Sequence, residues 1–575
     1  MISQANIQTN KSAFGNHSAP ISGVATSREK YVATTEYGIG NKVIIWDSQF
    51  HTPIAQGNHD HLVNQCEFSP NGQLLVSASS DRTSRIWSVP DMRLIAILGG
   101  HSDDVMKASF NPSGEQVATC SYDGTLRIYN LNGNCLVSCE GHTGLIETFD
   151  WNNDGTEITS CGTDRTLRTW CTRSGVQIHL KDNFEHDMDT LVYDERGQYI
   201  VGDDEGSIIV FMNDKNYLYQ AHTTGVKRLV KYKNMLLSIG YDQKAVLWRI
   251  LPNGELNKIS SEELPNAIWA RSAAFLNSEV IVFASFGSTY ISWNWTKGLW
   301  NYKYWQPSVS KNALIARGKD IFSIGDSGEL VQNRKHIASI GSLCNCISLV
   351  DNLCFVAGQV GTIFNAFNQE VIFQHSSPIN CCSSYIDSEG RVNIVFGAYD
   401  GSLIFLLPHS EAMDVVVRVI KLGCNAVKGI ATCGDEIFCG SADGTLTIVD
   451  GTHKAKKSMR QGAHDAILNG VATYQDGFAT VSRDLTMRLW DRNANLKKIV
   501  QTRHPRSIKC IASNPEGYLS ATGSYGGTID IYDHRVGQWV GDLKTPTMSG
   551  ISSIAWSDYL GVFIASSYDG DIYHV

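Results

Sequence analysis

Apolar and small residues alternate with polar ones in short runs along the whole chain, and a turn of small polar residues cuts each run. The clearest cases are LLVSASSDRTSRIW (74–87), QVATCSYDGTLRIY (116–129), EITSCGTDRTLRTW (157–170) and FATVSRDLTMRLW (478–490). Each reads as an alternating strand, an Asp-bearing turn, and a second alternating strand ending on an aromatic. A period of two places all the apolar side chains on one face, which predicts a β-hairpin with that face buried.

The hairpins recur. With the turn Asp or its counterpart as an anchor, the series is Gly40, Asp81, Asp123, Asp164, Glu205, Asp242, Gly287, Ser327, Val360, Asp400, Asp443, Asp484, Gly526 and Asp569. These fourteen anchors lie mostly about 40 to 43 residues apart, the period of a four-stranded propeller blade. Gly287, Ser327 and Val360 are placed by spacing as much as by residue type.

Other residues keep step with the anchors. His59, His101 and His142 lie 22 residues before theirs, and His222 and His464 lie 20 before. A hydroxyl stands four residues before (Ser77, Thr119, Ser160, Ser238, Thr480) and an aromatic six after (Trp87, Tyr129, Trp170, Trp248, Trp490). With Gly100-His101, Gly141-His142, Trp46-Asp47 and Trp490-Asp491, the set resembles the WD40 repeat family, whose blades carry a His–Ser/Thr–Asp–Trp hydrogen-bond chain. All four members are present in blades 2, 4, 6 and 12. His, Ser and Asp also make catalytic triads, but a catalytic site is built once and this set returns blade after blade. A buried Asp needs such partners to offset its desolvation, so the set reads as structural.

Fourteen blades exceed one ring, and the predicted fold is all-β, two tandem seven-bladed WD40 β-propellers, 1–296 and 297–575. With the chain ending at Val575, the last blade is expected to lack its outer strand, and an open edge invites pairing. Residues 4–11 are expected to complete blade 7 and the aromatic segment 297–306 (KGLWNYKYWQ) to complete blade 14. The alternative topology pairs the N-terminal strand with blade 14.

Composition narrows the function. A net charge of −9 without a long basic stripe argues against nucleic acid as the main partner. No apolar run approaches the length of a membrane span, and no signal sequence opens the chain. The 15 cysteines, including the close pairs Cys344/Cys346 and Cys381/Cys382, lack zinc spacing and read as buried small hydrophobes of a cytoplasmic protein. The sequons at Asn16 and Asn294 carry no weight without secretion. GDDEG (202–206) reads as turn chemistry and HKAKKSMRQ (453–461) as a solvated outer strand. No phosphate loop, nucleophile elbow or dinucleotide fingerprint is present, so neither an enzyme activity nor a cofactor is expected.

The candidate contact residues stand just before the anchors: Tyr122, Tyr241 and Phe286 in blades 3, 6 and 7, and Tyr399, Tyr525 and Tyr568 in blades 10, 13 and 14. Counted within each ring these are the same three places. The resemblance puts them on the face that meets partners, and tyrosine offers a large apolar contact with a polar tip. Packing within the turn is the competing reading. Arg82 and Arg165, each following its anchor Asp, join the set. The expected function is a non-catalytic scaffold that docks proteins or peptides, within a multiprotein complex. The alternative is an enzyme or small-ligand sensor with its site in a central channel.

Overall fold

The computed structural model describes residues 16–575 apart from Ser18, Arg28, Ile39, Glu195, Asn213, Asp214, 408–415, Cys424, His453, Lys454 and Asp476. The expected closing strand at 4–11 therefore lies outside the described residues. Those described form strands and turns with no helix, arranged as thirteen four-stranded antiparallel sheets and one three-stranded sheet. Every anchor falls between the second and third strands of its sheet. Asp81 separates Leu74–Ser79 from Ser84–Ser88, and even Val360 separates Leu353–Gly358 from Thr362–Asn365.

The turns follow from the anchor carboxylate. Asp123 Oδ1 accepts the backbone N–H of Thr125 at 2.9 Å, and Asp81 Oδ1 does the same for Thr83 at 2.9 Å. This tight loop forces the next residue into the left-handed region, where Gly124 has φ 76°. Arg82 and Arg165 adopt that conformation at φ 69° and 58°, one that a side chain disfavours.

The chain divides into two compact units, one running to Gln306 (Pro265–Ala267 excepted) and one occupying Pro307–Val575. In the first, the leading strands of the seven sheets are Ile21–Ser27, Val63–Phe68, Val105–Phe110, Ile146–Trp151, Met188–Tyr193, Val226–Tyr232 and Ile268–Phe275. Each packs on the next, and the seventh returns to the first. Val24 N–H donates to Ser272 Oγ at 3.1 Å and Thr26 Oγ1 to the Phe275 carbonyl at 2.6 Å, closing the cycle. In the second unit the leading strands from Lys311–Arg317 to Ile551–Ser557 close the same way, with the Ser552 hydroxyl donating to the Lys311 carbonyl. The fold is an all-β propeller architecture. The core lies between successive sheets: Ala33, Val43 and Ile45 of one blade pack against Val63, Cys66 and Leu75 of the next.

One expectation is corrected. Leu299–Asn301 pairs antiparallel with Ile291–Asn294 and completes the seventh sheet, not the fourteenth. Trp300 lies opposite Trp293, their rings stacked 5.3 Å apart at 11°. The reason is local. Asn294 Oδ1 accepts the Lys297 N–H at 3.0 Å, and Gly298 (φ 65°) turns the chain back onto its own sheet. Closing a short loop costs less entropy than reaching a distant blade. The segment 297–306 thus belongs with the first unit. The fourteenth sheet has three strands among the described residues.

Candidate functional site at the channel mouth of the first ring

The recurring histidines hold the frame. His59 Nδ1 donates to Asp81 Oδ2 at 2.8 Å, Ser77 Oγ donates to His59 Nε2 at 2.7 Å, and Trp87 Nε1 donates to Ser77 Oγ at 2.8 Å. The same chain joins His142, Asp164, Ser160 and Trp170 at 2.8–2.9 Å, and it recurs at His222 and His464. Burial alone would raise the Asp164 carboxyl, but the bonds from His142, Thr166 and Thr143 together bring it down to about 2. The His and Asp side chains of these chains are buried, and each serine hydroxyl also accepts from its tryptophan, so each chain ties the strands of its own blade together.

A second repeated device builds the mouth of the channel. The pairing of first and second strands slips after its first partner: Ile146↔Gly162 is followed by Thr148↔Cys161, Met188↔Asp203 by Thr190↔Gly202, and Val226↔Gly240 by Arg228↔Ile239. Each slip bulges one residue out of the ladder, and a bulge re-aims the side chain it carries. In the second unit the bulged residue is often Asn, and it clamps the neighbouring blade. Asn345 donates to the Ile379 carbonyl at 3.2 Å, Asn380 to Val427 at 3.1 Å and Asn469 to Ile508 at 2.7 Å. In the first unit Asn64 does the same to Val105 at 2.9 Å, but the bulges of blades 4, 5 and 6 carry Glu147, Asp189 and Lys227.

These charges and the candidate tyrosines form one cluster. Tyr122 Oη donates to Glu147 Oε1 at 3.0 Å, and Lys227 Nζ donates to Asp189 Oδ2 at 3.1 Å. The ammonium also lies 5.7 Å from the centre of the Tyr241 ring, within cation–π range. Burial pushes the Glu147 carboxyl up. Burial works against the Lys227 ammonium, but Asp189, Tyr241 and Glu147 hold it well above the usual lysine range. In the seventh blade the slip spans Ile268 to Ala273 and includes Arg271, whose guanidinium lies 5.3 Å from the Tyr37 and Trp269 rings and whose Nη2 donates to Asn64 Oδ1 at 3.2 Å. In the second unit Lys428 and Lys509, also on bulges, lie 4.2 Å and 5.9 Å from the Tyr399 and Tyr525 rings.

The candidate set is thus divided. Tyr122, Tyr241, Tyr399 and Tyr568 are half-buried, while Arg82 and Arg165 are exposed, Arg165 bonding Asp187 at 3.0 Å. Phe286 is only 4% exposed and stacks on Trp269, and Tyr525 is 8% exposed and stacks on Tyr568. Their rings pack inside the turn layer.

Two frame chains escaped the sequence reading. In blade 1, His17 Nε2 and Trp46 Nε1 both meet Thr34 Oγ1 at 2.6 Å, and Glu36, which accepts the Ala19 N–H at 3.0 Å, takes the acidic role. In blade 13, His504 lies between Thr522 at 2.8 Å and Thr528 at 2.6 Å. The spacings of His504, Thr522 and Tyr532 about Gly526 match the pattern, and the missing Asp hid them. The channel charges were also missed, although Glu67, Lys107, Glu147, Asp189, Lys227 and Arg271 recur about one blade period apart, which was their signal.

The chain carries WD40 repeats: the family model described as WD domain, G-beta repeat matches residues 52–88, 92–130, 133–171 and 497–533. The first match begins with the outer strand Thr52–Asn58 of one sheet and ends with the third strand Ser84–Ser88 of the next, so repeat and blade are offset by one strand. A stretch of 158 residues is 27% identical to telomerase protein component 1 of Mus musculus, covering 27% of this chain and 6% of that protein. The Rattus norvegicus protein of the same name is 29% identical over 118 residues, 20% of this chain and 4% of its own length. Transducin beta-like protein 3 of Rattus norvegicus is 38% identical over 47 residues, 8% of this chain and 6% of that protein. The matched stretches therefore span a small fraction of these relatives.

Proposed function

We propose that the protein is a non-catalytic scaffold that docks protein or peptide partners on the turn-bearing faces of its rings, as part of a multiprotein complex. The observation that carries this reading is the division of labour at the blade turns. The His and Asp side chains are tied into the frame, while Tyr122, Tyr241, Tyr399 and Tyr568 remain half-exposed and Arg82 and Arg165 exposed beside them. Arginine held in a left-handed conformation that glycine adopts without strain supports a role for that side chain. The net charge of −9 disfavours nucleic acid as the partner. The free thiols of the fourteen described cysteines support a reducing, cytoplasmic location.

The test is partner capture by the wild type and by an Arg82→Ala/Arg165→Ala/Tyr241→Ala variant, with folding verified by circular dichroism and cross-links mapped by mass spectrometry. The variant is expected to lose partners whose cross-links fall on the turn-bearing face of the first ring. A folded variant that keeps every partner at unchanged affinity defeats the reading for that ring.

A further inference from the structure

The second ring closes on its narrowest sheet. Its fourteenth blade has three strands among the described residues, and its junction with the eighth blade is made by the leading strands and by residues 308–310. There the Ser552 hydroxyl donates to the Lys311 carbonyl. Ser310 Oγ donates to the Tyr568 carbonyl at 3.0 Å, and the Ser308 and Ser310 hydroxyls bond each other at 2.8 Å. The Val309 carbonyl packs against Gly570, where an added Cβ would lie 2.7 Å from it.

Asp326 stands inside this junction. In the turn of the eighth blade it occupies the place that Tyr122 and Tyr241 hold in theirs, yet it is only 7% exposed. Its Oδ1 accepts from Asn312 Nδ2 at 2.8 Å. Asn312, bulged between Lys311 and Ala313, also donates to the Cys344 carbonyl of the ninth blade at 3.2 Å. The Asp326 backbone N–H donates to the Ser310 carbonyl at 3.4 Å. One carboxyl thus adjoins the links from the eighth blade to both of its neighbours. Its Oδ2 is enclosed without a hydrogen bond, and a buried group in that state calls for an explanation.

A count of protons supplies one. The Ser308 and Ser310 hydroxyls neighbour Asp326, but Ser310 commits its proton to Tyr568 and Ser308 its own to Ser310. Two hydroxyl protons face three acceptors, so an ionised Oδ2 is left bare or draws a donor away from the seam. A proton on Oδ2 completes the set, because it donates to a serine oxygen and leaves the bond to Tyr568 in place. Burial acts in the same direction and raises the carboxyl to about 6 from an ordinary 3.8, against the bonds from Asn312, Ser308 and Ser310. The charged groups around it are few. Lys311 lies on the leading strand of the same blade, its ammonium pushed down by burial while Glu329 and Asp326 act to raise it. Asp569, at the turn of the fourteenth blade, is held by the hydroxyls of Thr547 and Tyr573, and the ninth blade meets Asn312 with a carbonyl.

We propose that Asp326 is a proton-operated latch of the second ring: its protonated carboxyl completes the hydrogen-bond chain through Ser308 and Ser310 to the Tyr568 carbonyl, and loss of that proton loosens the junction of the eighth and fourteenth blades. A carboxyl raised by folding gives up its stabilisation as pH rises from its unfolded to its folded pKa. The latch is therefore closed in mild acid and open above neutrality. It is separate from the docking reading, since it uses the backbone of Tyr568 and not its ring.

The test is hydrogen–deuterium exchange of the full chain, read by mass spectrometry at about pH 5 and about pH 7.5 with labelling times scaled to intrinsic exchange. In the wild type, peptides covering 308–312 and 566–571 are expected to lose protection at least about fivefold at the higher pH. Peptides over Asn345 and Asn380, which clamp the backbone carbonyls of Ile379 and Val427, are expected to keep theirs. Asp326→Asn carries a neutral amide that can donate in place of the proton, and it should hold the seam at its acid level of protection at both pH values. Ser310→Ala removes the bond to Tyr568 and should leave the seam weakly protected at both. Should Asp326→Asn fail to fold, the wild type and Ser310→Ala decide the point between them. The inference is overturned if wild-type seam protection does not change with pH, or changes equally at the Asn345 and Asn380 clamps. A folded Asp326→Asn or a Ser310→Ala with the full wild-type response to pH overturns it as well.

Discussion

Lys227 Nζ lies 3.1 Å from Asp189 Oδ2, and both side chains stand on bulges of neighbouring leading strands. The pair shares its enclosure with Glu147, so one ammonium serves two carboxylates. Replacing Lys227 with Met leaves Asp189 without its ion-pair partner and takes from Glu147 the stronger of two cations acting on it, Arg271 being the other. The expected cost is about 1.5–3 kcal/mol, the range for a hydrogen bond to a charged group. Adding Asp189→Asn should recover a large part of it, because the remaining acid then has no like-charged neighbour. Urea unfolding of the two single variants and the double variant gives the coupling. Strictly additive costs would show that the pair does not interact.

The frame chains predict a dependence on acid. Asp164 titrates at about 2 in the folded protein against an ordinary 3.8. A carboxyl lowered by folding contributes its full stabilisation above its unfolded pKa and loses it as pH falls toward the folded one. Wild type should therefore lose stability between about pH 4 and pH 2 more steeply than Asp164→Asn, which has no such proton to bind. At neutral pH the same variant should be less stable by about 1–3 kcal/mol, through weakened pairing of the enclosed His142. Parallel slopes in acid titrations followed by tryptophan fluorescence would contradict the assignment.

Asp204 predicts the opposite sign. It occupies, in the fifth blade, the turn place that Tyr122 and Tyr241 hold in theirs, and its Oδ1 is enclosed without a partner. Burial, then the charges of Asp187 and Asp189, raise its carboxyl to about 7 from an ordinary 3.8. The folded state thus holds a proton that the unfolded state has released, and stability falls as pH rises through that interval. Asp204→Asn should be the more stable protein at pH 8 and close to wild type near pH 4. Melting curves at both pH values decide the point, and equal shifts at both would refute it.

The residues explain why some of this was legible in the sequence. The turns were visible because Asp, Gly and hydroxyl residues recur at fixed offsets from local strands, so fourteen anchors fell in the correct loops. The frame chains were visible where all four members kept their identity. They were hidden in blade 1, where Gly40 holds the anchor place and Glu36 supplies the carboxylate, and in blade 13, where Gly526 holds it and Thr528 meets His504. The closing strand was misplaced because Trp300 can pair with any exposed edge, and only the Asn294 turn directs it to its own sheet. The channel charges stayed hidden because a bulge of one residue decides where Glu147, Asp189 and Lys227 point. Register slips of that kind leave no mark in the alternation of polar and apolar residues.

The tyrosine of Ser121-Tyr122-Asp123-Gly124 can be assigned by a single atom. Its hydroxyl donates to Glu147 Oε1 at 3.0 Å across a blade boundary, while its ring remains half-exposed at the channel mouth. Two roles are therefore separable. Tyr122→Phe keeps the ring and deletes the bond to an enclosed carboxylate, so it should cost about 1.5–3 kcal/mol in unfolding experiments. It should also raise the pH at which Glu147 titrates, since that bond lowers a carboxyl that burial has already pushed up. Partner capture should survive in Tyr122→Phe and fall in Tyr122→Ala if the ring makes the contact. A Phe variant as stable as wild type would remove the structural role. An Ala variant that captures every partner unchanged would leave Tyr122 as a strut for Glu147 alone, and the docking face of the first ring would then rest on Tyr241, Arg82 and Arg165.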